Sequence, residues 1–128
     1  MEVYYLIHTC DKNKFRLFLN QSNPDICKNF NEINKNPKLY KKFILVVEAV
    51  KNKVHNTRQF NWEMSFDCGE VYAIKIDNYR FYTLVVLNSG YRELYMSRYG
   101  KKESQENTKK LIATISSIEN ISIQKALL

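Results

Sequence analysis

Lys75, Arg80 and Arg98 fall where two hairpin turns would set them side by side. Residues 71–76 alternate and are rich in β-formers, Asp77-Asn78 is a two-residue hairpin signal, and 79–87 reads as a second strand. Asn88-Ser89-Gly90 then turns the chain into 91–99. A two-residue loop at Asp77-Asn78 puts Lys75 opposite Arg80, and a three-residue loop at 88–90 puts Arg80 opposite Arg98. Three cations would then share one row of one face. Like charges directly across a sheet are destabilising, so a chain that keeps them points to a use: holding an anion, a phosphate first of all. Lys101 and Lys102 follow at once and would add to it. The plainer alternative is a solvated strand end whose cations discourage edge association, and a one-residue slip in either turn would send one member to the other face.

A second group of cations surrounds His55. It lies at the end of the second predicted helix with Lys51, Lys53 and Arg58, and Arg92 is a further cation in the third meander strand. Lys53, His55, Arg58 and Arg92 are therefore expected as secondary phosphate or RNA contacts. A lone histidine after a helix more often caps it or stays solvated, and His8, in or ending the first strand, reads as structural.

These residues must be positioned by one domain spanning 1–128. A chain of 128 residues, 45% hydrophobic and 26% charged, is long enough for one core and too short for two ordinary ones. Twenty Lys and Arg against 13 Asp and Glu give +7 and a pI near 9.3, which favours a polyanion or an acidic protein as partner. Cys10, Cys27 and Cys68 are odd in number and lack CxxC spacing, so neither a disulfide framework nor a zinc site is expected; the set suits a reducing cytoplasm. No metal and no cofactor is expected. Residues 1–8 lack a basic region leading into a long apolar stretch, and no apolar run approaches the roughly 18 residues of a membrane span, so no membrane contact is expected and the expected location is cytoplasmic.

Residues 3–8 read as a strand and 15–19 as a second strand or its continuation. Asn23-Pro24 can start a helix over 24–34, with Ile26, Phe30 and Ile33 on one face. The device repeats at Asn36-Pro37, where Leu39, Phe43, Val46, Val47, Val50 and Val54 trace a stripe over 37–54. Residues 56–70 read as a long loop, although Phe60, Trp62, Met64 and Phe66 alternate as in a further strand or a segment folded over the core. Ser104, with Gln105 or Asn107, can start a helix through Ile118 carrying Leu111, Ile112 and Ile115, and 119–128 is a weakly patterned tail. The expected class is α+β: a helical hairpin on one side of a small antiparallel sheet, with a C-terminal meander and a short terminal helix.

Tyr72-Ala73-Ile74-Lys75-Ile76, Asn78-Tyr79-Arg80-Phe81-Tyr82, and Tyr99-Gly100-Lys101-Lys102 before a polar helix start together resemble the RelE/HigB/ParE toxin superfamily of bacterial type II toxin–antitoxin systems. The likeness covers about the last 60 residues in motif and the helical hairpin in order alone. It implies a RelE-like fold and an mRNA endoribonuclease, commonly acting on ribosome-bound message, held inactive by a cognate acidic antitoxin. RNA cleavage by its own 2′-hydroxyl needs no metal: the hydroxyl loses a proton, the phosphorane charge is stabilised, and the 5′-oxygen is protonated. The resemblance gives Arg80 and Arg98 the scissile phosphate, Lys75 the place of general base, and Lys101 or Lys102 further charge and the acid. Two positions depart from the pattern. Ala73 stands where the ribosome-dependent branch has a further lysine, and Thr108 lies near where that branch places a tyrosine, with Tyr95 and Tyr99 as nearby substitutes. Two alternatives stay open: a ParE-like poison of DNA gyrase without RNase activity, and a non-catalytic basic nucleic-acid-binding module whose aromatics stack on bases.

Overall fold

The computed structural model describes residues 1–101, 108–120 and 123–126. Alternating segments form β1 (Glu2–Cys10) and β2 (Phe15–Asn20), followed by α1 (Pro24–Lys35) and α2 (Pro37–Lys51). Strands β3 (Phe60–Phe66), β4 (Gly69–Ile76), β5 (Tyr79–Asn88) and β6 (Tyr91–Lys101) run as a meander. Then come α3 (Thr108–Ser116), a 3-10 turn (Ser117–Asn120) and β7 (Ile123–Ala126). The helix starts are those the Asn-Pro pairs encode. Asn23 Oδ1 accepts the Ile26 N–H at 3.0 Å, Asn36 Oδ1 accepts those of Lys38 and Leu39, and each proline sits at the first helical position, where no N–H is needed.

All seven strands belong to one sheet in the order β3-β4-β5-β6-β2-β1-β7. The meander and the β1-β2 hairpin are antiparallel, but β2 lies parallel to β6, so the sheet is mixed rather than purely antiparallel. The fold is α+β. Leu17, Leu19, Ile74, Phe81 and Leu94 on one face pack with Ile26, Phe43 and Val47 of the helical hairpin. On the other face Tyr4, Phe18, Ala73, Tyr82 and Tyr95 pack with Ile115 and Ile118. The terminal helix thus covers the face opposite the hairpin, which corrects the expectation of helices on one side only. The sheet has two apolar faces, and each needs a cover.

Three local expectations also change. Helix α2 ends at Lys51 with Asn52 as its cap, so Val54 leaves the stripe and is 73% exposed. Residues 60–66 pair with β4 as a true strand, which their alternation permitted. Within the weakly patterned tail, β7 pairs parallel with β1, setting Ile123 beside Glu2. No helix among the described residues is long and apolar enough to cross a membrane.

Candidate functional site

The first turn folds as its residues require. Asp77 takes φ 50°, and Lys75 lies directly opposite Arg80 on the face that also carries Ala73 and Tyr82. The second turn is tighter than expected. Asn88 pairs with Tyr91, and the loop is Ser89-Gly90 alone, both at positive φ (53° and 84°), the signature of a type I′ turn. A bulge between Tyr82 and Thr83 adds a second one-residue shift. Arg80 therefore faces Gly100, and Arg98 faces Tyr82 one row away. The three cations share a face but not a row.

Gly100 has a steric reason to be glycine. A Cβ there would lie 2.8 Å from Cε2 of Tyr82 and 3.3 Å from Leu111 Cδ1, so its absence lets the tyrosine ring cross the strand beside Arg80.

Arg80 and Arg98 differ in what their guanidinium groups already hold. Arg98 is largely committed: Nη1 and Nη2 donate to the two Glu2 carboxylate oxygens at 2.6 and 2.8 Å, Nε donates to Ser117 Oγ at 2.9 Å, and Nη1 also donates to Ser97 O. Burial alone would raise the Glu2 carboxyl, but Arg98, Asn20 and Tyr4 outweigh it and hold the group below the usual carboxylate range. The hydrogen bonds from Arg98 to Glu2 in turn push the Arg98 guanidinium up. Arg80 uses only Nη1, on the carbonyls of Asp77 and Tyr79. Its Nε and Nη2, the pair that forms a side-on fork, have no acceptor among the described residues. Lys75 Nζ donates to the Thr57 carbonyl at 3.2 Å, and neither Lys75 nor Arg80 forms an ion pair among the described residues. The loop that supplies Thr57 carries exposed Arg58 next in the chain.

The remaining expected site residues are dispersed. Lys101 is the neighbour of Gly100 but lies opposite Tyr79, so it belongs to the helical face. Lys102 lies outside the described residues. Arg92 stands at the start of β6, far along the strand from Arg98; its guanidinium donates to the Val50 carbonyl at the end of α2 and lies 5.6 Å over the Phe15 ring. Burial lowers its pKa, and its geometry is that of a helix-end clamp. His55 packs T-shaped against Phe60 with ring centroids 5.0 Å apart, and its buried Nδ1 has no hydrogen-bond partner among the described residues. Burial, then the charge of Arg92, lowers its pKa. Lys53, at φ 59° just past α2, is exposed. Tyr95 is no free stand-in for a catalytic tyrosine, because its buried hydroxyl donates to Glu93 at 2.7 Å. Glu2 was invisible as a partner for Arg98, since 96 residues separate them and only the sheet order brings them together.

Among the described residues no group of three His, Cys, Asp or Glu side chains is placed to hold a metal ion. Compared with protein families, curated proteins and solved structures, the chain gives no match.

Proposed function

We propose that this chain is a RelE/HigB-type toxin: a metal-independent endoribonuclease of the cytoplasm, acting on mRNA and held inactive by an acidic antitoxin. The observation that carries the reading is the open side-on fork of Arg80, held directly across the strands from Lys75 with no carboxylate paired to either among the described residues. Anchoring Nη1 on two backbone carbonyls fixes the guanidinium plane in advance, so less side-chain entropy is lost when Nε and Nη2 take two phosphate oxygens. The 2′-hydroxyl gives its proton to a base, O2′ bonds to phosphorus, the P–O5′ bond breaks, and O5′ takes a proton. The products are a 2′,3′-cyclic phosphate and a 5′-hydroxyl. Arg80 stabilises the charge on the phosphorane, and Lys75 lies beside it as base or second cation. Arg98, spent on Glu2, acts on this site through the position of β6 rather than by touching phosphate.

Primer-extension mapping of message in a translating extract tests this. Wild-type protein is expected to cut in the presence of a chelator and leave cyclic phosphate ends, while Arg80→Ala is expected to lose cutting. Intact message with wild-type protein would overturn the reading.

A second reading, a ParE-like gyrase poison, is favoured by one observation: Ala73, where the resemblance would place a further lysine, is fully buried beneath the α3 face. Supercoiling inhibition without RNA cleavage would select it.

A further inference from the structure

Between the base of the helical hairpin and the β4–β5 turn lies a groove of about 590 Å³, within the size range of small-molecule sites. It opens on the helical face, the side of the sheet away from Lys75 and Arg80. Two half-buried tyrosines, Tyr79 and Tyr99, form one wall, with ring centroids 6.0 Å apart. Its two carboxylates are already matched: Glu32 accepts the Tyr79 hydroxyl at 2.8 Å, and Asp77 pairs with Lys42 at 2.7 Å. Lys38 and Lys101 also line it and have no ion-pair partner among the described residues. Among the described residues Leu39 is the one aliphatic side chain in the lining.

From this lining we infer that the groove is a binding site for a nucleotide of single-stranded RNA flanking the one held at Arg80. Aromatic rings suit a base, asparagine amides suit its edge, and two unmatched ammonium groups suit the phosphates on either side. An apolar metabolite would meet the tyrosine rings and Leu39 but would have to cover the lysines and carboxylates around them, which costs desolvation. The sheet supplies the route as well. Arg80 faces Gly100 on one side of the sheet, while the adjacent pair, Tyr79 and Lys101, faces the other, so a single strand folding over the Asp77-Asn78 turn meets cations on both faces of the same sheet end. A duplex could not follow so sharp a path. The inference rests on the RNA reading above and specifies how that substrate is held.

The test uses a labelled single-stranded 2′-O-methyl RNA, which lacks the attacking hydroxyl and cannot be cut, with affinity read by fluorescence anisotropy across a salt series. Lys38→Ala with Lys101→Ala is expected to weaken binding roughly tenfold and to flatten the salt dependence by about 0.7 in log–log slope for each lysine removed. Lys41→Ala, an exposed lysine of α2 outside the groove, serves as the charge control and should change the slope little. A double variant that binds like wild type overturns the groove assignment and leaves the Arg80 site standing. A wild-type protein that binds no single-stranded RNA overturns the groove assignment too, and if it also cuts none, the RNA reading falls with it. Binding of polyglutamate in preference to RNA would assign the groove to an acidic peptide instead.

Discussion

Arg98 and Glu2 meet fork to fork, Nη1 to Oε1 at 2.6 Å and Nη2 to Oε2 at 2.8 Å, and so tie the end of β6 to the start of β1. Ser117 adds the 3-10 turn after α3 to the same junction. Both side chains are mostly sheltered, 16% and 23% exposed, so breaking the pair leaves a charge without its partner. Arg98→Ala is expected to cost about 2–3 kcal/mol in a denaturant titration. The pair also predicts a pH dependence. The Glu2 carboxyl is held below its ordinary value, so its contribution is complete above the unfolded carboxylate range and is lost as pH falls through the lowered value. Wild type should therefore lose more stability below about pH 4 than Glu2→Gln does.

Arg80 should behave in the opposite way. A half-buried strand-end cation bonded only to nearby carbonyls contributes little to the fold, so Arg80→Ala should cost no more than about 1 kcal/mol in stability. A contact made to the transition state is worth about 3 kcal/mol, so the same variant should lose at least about a hundredfold in cleavage rate. Arg80→Lys should rescue little, because a point charge cannot present the two donors of the fork. Full activity in Arg80→Ala would place the phosphate elsewhere.

The histidines predict a milder loss at higher pH. His8 and His55 each bury a ring nitrogen that has no partner among the described residues, His8 against Phe15 and His55 against Phe60. Burial lowers both pKa values, with the charges of Lys51 and Arg92 adding to it. The unfolded chain therefore takes up protons near pH 6.5 that the folded chain refuses, and stability should fall as pH drops from about 7 to about 5. Thermal melts of His8→Gln and His55→Gln across that range should show a flatter slope than wild type. Equal slopes would mean that the imidazoles titrate normally in the fold.

Phe43 tests the core. It is 4% exposed, and its ring meets Phe30 edge-on at 5.2 Å. Phe43→Ala should cost about 3–5 kcal/mol, and an unchanged melt would remove it from the hairpin–sheet interface.

What the residues disclosed in advance follows their range of action. The Asn-Pro helix starts, the Asp77-Asn78 turn and the Lys75–Arg80 pairing are local and present as read, and so are the apolar stripes apart from Val54, which lies beyond the end of α2. Within the stripe of the second helix Leu39 is only half-buried, packed at the core's margin. The Arg80–Arg98 register failed because two one-residue shifts accumulate: Asn88 can sit in a turn or end a strand, and nothing local marks a bulge beside Tyr82. The parallel pairing of β2 with β6, the docking of α3 on the second face, and the commitment of Arg98 to Glu2 depend on residues far apart in sequence, which periodicity and spacing do not report. The open fork of Arg80 needed side-chain geometry as well.

The parallel seam between β2 and β6 also constrains how this chain can be made. Residues 15–19 wait for partners at 92–96, so about three-quarters of the chain must be synthesised before β2 gains its second neighbour. Until then one edge of β2 is unpaired, and Leu17 and Leu19 await the strand beside them. Contacts so distant in sequence are slow to close and leave strand edges open to association meanwhile. Arg98, Gly100 and Lys101 arrive with the strand that closes the seam, so a nascent chain that has not yet folded its sheet has no assembled anion site to present.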